Sequence, residues 1–183
     1  MQALNIPALV IALVSCLAMA SLGGLLAGKQ VTGWFATLRK PRLQLPLWAF
    51  ISVGGVVYVL DALILYRLLT GVNDQALRIV ALTGMYIVML YNELWNYVFL
   101  GWRNTFAGFL GVLAFLAPLL ILQVTLLVSD QFSALVLFVY LLWVIGYDIP
   151  WAYTLWKLNP PGVRQGMESI VLSKDRSEEE TVT

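Results

Sequence analysis

The side chains of this chain that could do chemistry are few, and they stand in unusual places. Tyr91-Asn92-Glu93-Leu94-Trp95-Asn96-Tyr97 lies inside an apolar run over residues 77–100. A carboxylate and two amides in hydrocarbon are costly, about 3 kcal/mol for the charged group alone. Such groups face a bundle interior or a wet cavity. On a helix Asn92 and Trp95 are i,i+3 neighbours, as are Glu93 and Asn96, so one helix carries a polar, aromatic inner face. Two more acids, Asp61 and Asp148, fall within apolar runs. At a rise of about 1.5 Å per residue, Glu93 and Asp148 belong to the membrane half nearest a basic segment at 28–46. Asp61 belongs to the other half and is expected not to join them. Glu93 and Asp148 facing one cavity would share a proton or orient a ligand. The alternative is that each acid is absorbed in a polar network with Asn92, Asn96, Tyr140 or Tyr147. Tyr140, Trp143, Tyr147 and Trp151 recur at helical i,i+3/i+4/i+7 spacing, either as packing or, beside Asp148, as a ligand wall. Pro150 frees the Gly146 carbonyl, one more polar contact.

The elements that position these residues are membrane helices. Of 183 residues, 61% are hydrophobic and 11% charged, a balance of polytopic membrane proteins rather than soluble domains. Five apolar runs are long enough to span, at about 6–27, 47–69, 77–100, 105–128 and 132–158. The first lacks a basic flank and is expected to be a retained helix, not a cleaved leader. The predicted fold is thus an all-α five-transmembrane-helix bundle over residues 1–160, followed by a polar tail at 161–183 that is expected to be disordered and cytoplasmic. Small residues Gly108, Gly111, Ala114 and Ala117 read as a packing stripe that would suit close helix contact or a homodimer.

The connection 28–46 holds Lys29, Arg39, Lys40 and Arg42 together with Trp34, Phe35 and Pro41. A connection this long is usually functional or disordered, and two central aromatics argue for order. It reads as a basic interfacial loop or as a lid over a pocket. This loop, the third connection and the tail carry nine of the eleven Lys and Arg residues, and the other side has only Arg67 and Arg78. The positive-inside rule then predicts the N-terminus outside and the C-terminus in the cytoplasm.

Absences bound the chemistry further. The chain has no histidine, which excludes His metal ligands, His axial haem ligation and Ser–His or Cys–His nucleophiles within it. No metal site and no catalytic residue are expected. Cys16 is the single cysteine, so no intrachain disulfide can form. A net charge of +1 makes no case for nucleic acid.

Three segments resemble the TspO/MBR family of tryptophan-rich sensory proteins and mitochondrial translocator proteins. Trp34-Phe35-Ala36-Thr37-Leu38-Arg39-Lys40-Pro41, then Pro46, Phe50 and Tyr58, resembles its first-loop motif. Asn92, Trp95, Phe99 and Gly101 resemble its third-span motif, and Tyr140-Leu141-Leu142-Trp143 its fifth-span motif. Leu43 and Gly54 stand where the family carries tryptophans, and Asp61, Glu93 and Asp148 are not part of its pattern. The resemblance implies five helices and a non-enzymatic membrane receptor or transporter-like protein. Its ligand would be flat and hydrophobic, a tetrapyrrole such as haem or protoporphyrin or a sterol-like lipid, with no cofactor required. Trp34, Phe35, Trp95, Trp143 and Tyr147 would supply stacking area, Arg39, Lys40 and Arg42 would pair with ligand carboxylates, and Pro41 and Tyr140 belong to the same motifs. Asn92, Glu93 and Asp148 would orient the buried end. The alternatives are a proton- or cation-coupled carrier using Glu93 and Asp148, and an enzyme that degrades porphyrin photo-oxidatively.

Overall fold

A computed structural model describes residues 4–160; the expected tail at 161–183 lies outside the described residues. Four of the six α-helices begin where a polar side chain takes up an otherwise unpaired backbone N–H. Asn5 caps α1 (Ile6–Ala27) through Ala8 N, and Asp74 caps α3 (Gln75–Asn96) through Leu77 N. Asn104 caps α4 (Thr105–Ser129) through both Phe106 N and Ala107 N, and Asp130 caps α5 (Gln131–Trp143) through Ser133 N. Two helices begin otherwise: Pro46 precedes α2 (Leu47–Gly71), and α6 (Ile149–Leu158) continues the line of α5. The helices give five segments long and apolar enough to cross a membrane, the last spanning Gln131–Leu158. Among the described residues all regular structure is helical, as expected for a five-helix bundle.

Around the bundle the helices neighbour one another in the order α1, α2, α5, α4, α3, with α3 closing onto α1. Large apolar side chains such as Leu17, Leu25, Ile121 and Val128 point outward and are exposed. In water such a surface would aggregate; in a bilayer it meets lipid. Trp48 and Trp102, both exposed near one end, suit the interfacial belt. Inside, Ile64, Leu65, Leu68, Met85, Leu119, Leu122 and Leu137 are almost fully buried. The core is therefore solid in the half of the bundle far from the long loop. Gln123 bridges α4 to α5 there, donating from Nε2 to the Ala134 carbonyl at 3.0 Å.

Two π-helical turns interrupt the third and fifth spans, at Tyr97–Gly101 and Val144–Asp148. The second answers Pro150, which has no N–H to give: Ile149 N–H bonds instead to the Val144 carbonyl, five residues back. The packing stripe divides. Gly108 and Gly111 are spent inside the chain, because a Cβ there would fall 2.4 Å from the Phe99 ring and 2.8 Å from Trp95. Ala114 and Ala117 face outward. The glycine half of the stripe is thus not free for a second copy.

At the far end Arg67 of α2 grips Asp130 at the α4–α5 turn through two bonds of 2.7 Å, Nε to Oδ2 and Nη2 to Oδ1. The guanidinium also lies 4.6 Å from the Phe132 ring centroid. The Arg67 bonds, followed by that from Ser133, hold the Asp130 carboxyl down to about 2. A carboxyl depressed below its unfolded value contributes stability above about pH 4 and loses it as pH falls through about 2. Asp130→Asn keeps the cap and loses the charge. It is expected to cost about 1 kcal/mol near neutrality and to remove this acid limb from the pH dependence of thermal unfolding in detergent. An unchanged limb would rule the pair out as its source.

Candidate functional site

α2 packs against α5, to which Arg67–Asp130 ties it, but not closely against α6. The bundle therefore opens toward the end that carries the first loop, leaving a cavity of about 980 Å³. Its walls are chiefly apolar and carry many rings: Phe50 from α2, Trp95 and Phe99 from the third span, Phe115 from α4, and Trp143 and Trp151 from the fifth. On the side of α1, Ala20, Gly23, Gly24 and Ala27 keep the wall thin, as Gly54 does on α2.

Glu93 stands at the inner end, 1% exposed. Its Oε1 accepts from the Tyr58 hydroxyl at 2.5 Å and from Asn92 Nδ2 at 3.2 Å, and its Oε2 accepts from Asn96 Nδ2 at 3.3 Å. All three donors are neutral. The carboxylate has room only because residue 23 of the facing helix is glycine: a Cβ there would lie 1.7 Å from Oε2. Asp148, half-buried in the π turn, accepts from Trp143 Nε1 at 3.0 Å through Oδ1. Asp61 does not line the cavity, yet it is not isolated as its depth had suggested. It lies one turn from Tyr58 and within electrostatic reach of Glu93, Tyr58 and Cys16, because the α1–α2 contact turns it inward.

The first loop forms the roof and is docked. Phe35 meets Phe99 and Trp151 at ring-centroid distances of 5.9 and 6.3 Å, and Trp34 meets Phe99 edge-on at 5.5 Å. Gln44 Oε1 accepts from Trp151 Nε1 at 2.9 Å. The Asn159 amide clamps both backbone groups of Arg39, each at 2.9 Å. Phe99 is the hub of this arrangement, since Trp95 also stacks on it at 5.0 Å. Trp95 is fixed in turn by its Nε1 bond to the Gly108 carbonyl, at 2.8 Å.

Of the residues expected from sequence, Phe35, Lys40, Asn92 and Glu93 line the cavity, as do Trp95, Tyr140, Trp143 and Asp148. Five expected residues do not. Trp34 packs behind the wall on Phe99, and Pro41 is buried under the loop. Arg39 is exposed, held by its backbone rather than by its guanidinium. Tyr147 packs behind the wall on Trp143, ring centroids 4.6 Å apart, and its hydroxyl donates to Leu43 O at 3.0 Å and accepts from Leu45 N at 3.3 Å. Arg42 does not line the cavity either. The most important residues missed are Tyr58 and Gly23. Tyr58, three residues before Asp61 in a valine-rich run, could have been read as its companion on one helix face. Gly23 has no comparable signal, because its role depends on a side chain from another helix.

A family model described as the TspO/MBR family matches residues 11–149, well over half of the chain. The chain belongs to the TspO/MBR family. It is also similar to the tryptophan-rich protein TspO of Archaeoglobus fulgidus, 27% identical over 144 residues, covering 78% of this chain and 91% of that one. A TspO/MBR protein with five such helices is an integral multi-pass membrane protein of the receptor- or transporter-like kind, and its outer surface contacts lipid. The TspO/MBR resemblance seen in sequence therefore holds. In this TspO/MBR cavity Lys40 is the lone lining cation among the described residues. Its ammonium donates to the Phe35 carbonyl and lies over the Phe35 ring. Burial pulls it down to about 8. A carboxylate-bearing probe that reaches it is expected to lose up to about tenfold in affinity between about pH 7 and pH 9, as the cation is lost. Lys40→Met should abolish that pH dependence; retention of it in the variant would assign the titration elsewhere.

Proposed function

We propose that this protein is a non-enzymatic membrane binding protein whose ligand is a flat hydrophobic molecule, a tetrapyrrole or a sterol-like lipid, held in the cavity under the first loop. One observation carries the reading: the cavity of about 980 Å³ is walled by aromatic rings and holds a small set of polar groups at its inner end. Pockets of this size and character are typical of sites for compact organic ligands. Trp95, Trp143 and Trp151 offer faces for stacking, and Asn92, Glu93 and Asp148 offer the polar contacts that would orient a ligand. No prosthetic group is required by this reading. Titration of the purified protein with protoporphyrin should quench tryptophan emission saturably, and a sterol should compete if it shares the site. Linear quenching with every tetrapyrrole, together with no saturable sterol binding, would remove the proposal.

A second reading, a proton- or cation-coupled carrier, is favoured by one feature: Glu93 and Asp148 line the same cavity. It predicts uptake into proteoliposomes that follows an imposed pH gradient and disappears in Glu93→Gln. The charge asymmetry of the connections supports an N-terminus outside and a C-terminus in the cytoplasm. Reporter fusions at the two ends would read opposite sides of the membrane.

A further inference from the structure

We infer that the cavity selects a flat hydrophobic molecule bearing a basic amine, with Glu93 and Asp148 as its counter-ions. The inference rests on the proposed role of the cavity as a site for a flat hydrophobic ligand, and it departs from the tetrapyrrole or sterol reading in giving that ligand an amine. Two acids line this space, and the one lining cation among the described residues, Lys40, is an exposed residue of the roof itself and is engaged by Phe35. Neither acid has an ion-pair partner; among the described residues the ion pair is Arg67–Asp130, at the opposite end of the bundle. Glu93 receives hydrogen bonds from Tyr58, Asn92 and Asn96, which hold a carboxylate in place without cancelling its charge. Asp148 receives one, from Trp143 on Oδ1, and its Oδ2 has no hydrogen-bond partner among the described residues. An ammonium is what each of these acids lacks. A charge-assisted hydrogen bond to a carboxylate is the strong kind, and the surrounding ring faces of Phe50, Trp95, Phe115 and Trp143 attract cations as well. A ligand carboxylate would have to be met at the rim by Lys40 rather than beside these acids, the weaker of the two arrangements.

The test uses three probes that share one ring system and differ in charge: pyrenemethylamine, pyrenemethanol and pyrenecarboxylate. Each is titrated into the purified full-length chain in nonionic detergent, with saturable energy transfer from tryptophan as the readout. The amine is expected to bind at least about tenfold more tightly than the alcohol, and the carboxylate more weakly than either. Glu93→Gln should reduce the ratio of amine to alcohol affinity severalfold. Asp148→Asn, at a half-buried position that tolerates the change, should reduce it in the same direction, so the result does not depend on Glu93→Gln folding. Equal binding of the three probes, tighter binding of the carboxylate, or an amine preference unaltered in both variants overturns the inference and leaves the cavity as a ligand site. Failure of all three probes, and of protoporphyrin and sterol, overturns the inference and that reading together.

Discussion

Phe99→Ala is expected to lower the stability of the bundle by about 3–5 kcal/mol and to release the first loop from its dock. The ring is 3% exposed and lies 5.0–6.0 Å from the centroids of Trp34, Phe35, Trp95 and Trp151. Those four rings come from the loop, the third span and the fifth span, so one side chain joins three parts of the chain. In a membrane, helix association is driven by packing rather than by exclusion of water, and a void at such a junction forfeits the contacts outright. Neighbours cannot collapse into the gap freely, because Trp95 is held by Gly108 and Trp151 by Gln44. Thermal unfolding in detergent should show the loss, and limited proteolysis should show faster cleavage within residues 28–46. Phe138→Ala, on the outer face where the ring is 44% exposed, is the control and should stay within about 0.5 kcal/mol. Equal effects of the two substitutions would refute the hub.

Gly23→Val should be the second large effect. The first side-chain carbon would occupy the position of the Glu93 carboxylate, 1.7 Å from Oε2 and 2.9 Å from Cδ. A glutamate tip can usually swing aside. Here it is nearly fully buried and bonded to Tyr58, Asn92 and Asn96, so moving it breaks three hydrogen bonds and leaves their donors unpaired. A loss of about 3 kcal/mol is expected, with loss of saturable ligand binding. Gly24→Val is the internal control, because nothing lies within 4 Å of a Cβ there. If the clash with Glu93 is the cause, Glu93→Ala should absorb much of the Gly23→Val penalty in a double-mutant cycle. Strict additivity of the two changes would show that the glycine serves some other contact.

Parts of this architecture were legible residue by residue. The helix starts could be read at Asp74, Asn104 and Asp130, since a short polar side chain before an apolar run has little else to do than cap it. Glu93 and Asp148 stood out because charged side chains within spans carry a cost that normally needs a reason, and Trp95 and Trp143 because of their helical spacing from Asn92 and Tyr140. The first loop was harder. Arg39, Lys40 and Arg42 looked alike in sequence, yet only Lys40 reaches the cavity, because Asn159 pins the Arg39 backbone from the far end of the fifth span. Tyr147 keeps its place beside Trp143, ring centroids 4.6 Å apart, but its hydroxyl is taken up by the Leu43 and Leu45 backbone of the first loop, a partner its own helix does not announce.

By itself the sequence determined that the chain is five membrane helices with acids among them. Bilayer thickness sets how many apolar residues a span needs, and hydrocarbon forces each span to satisfy its own backbone; both are properties of the chain read in order. Which groups meet was decided only in three dimensions. That Tyr58 finds Glu93, that Gly23 makes room for it, and that Asp61 comes within electrostatic reach of the same acid depend on how each helix is rotated about its axis against its neighbours. Helix rotation is set by the packing of side chains from distant parts of the chain, and no spacing along one helix encodes it.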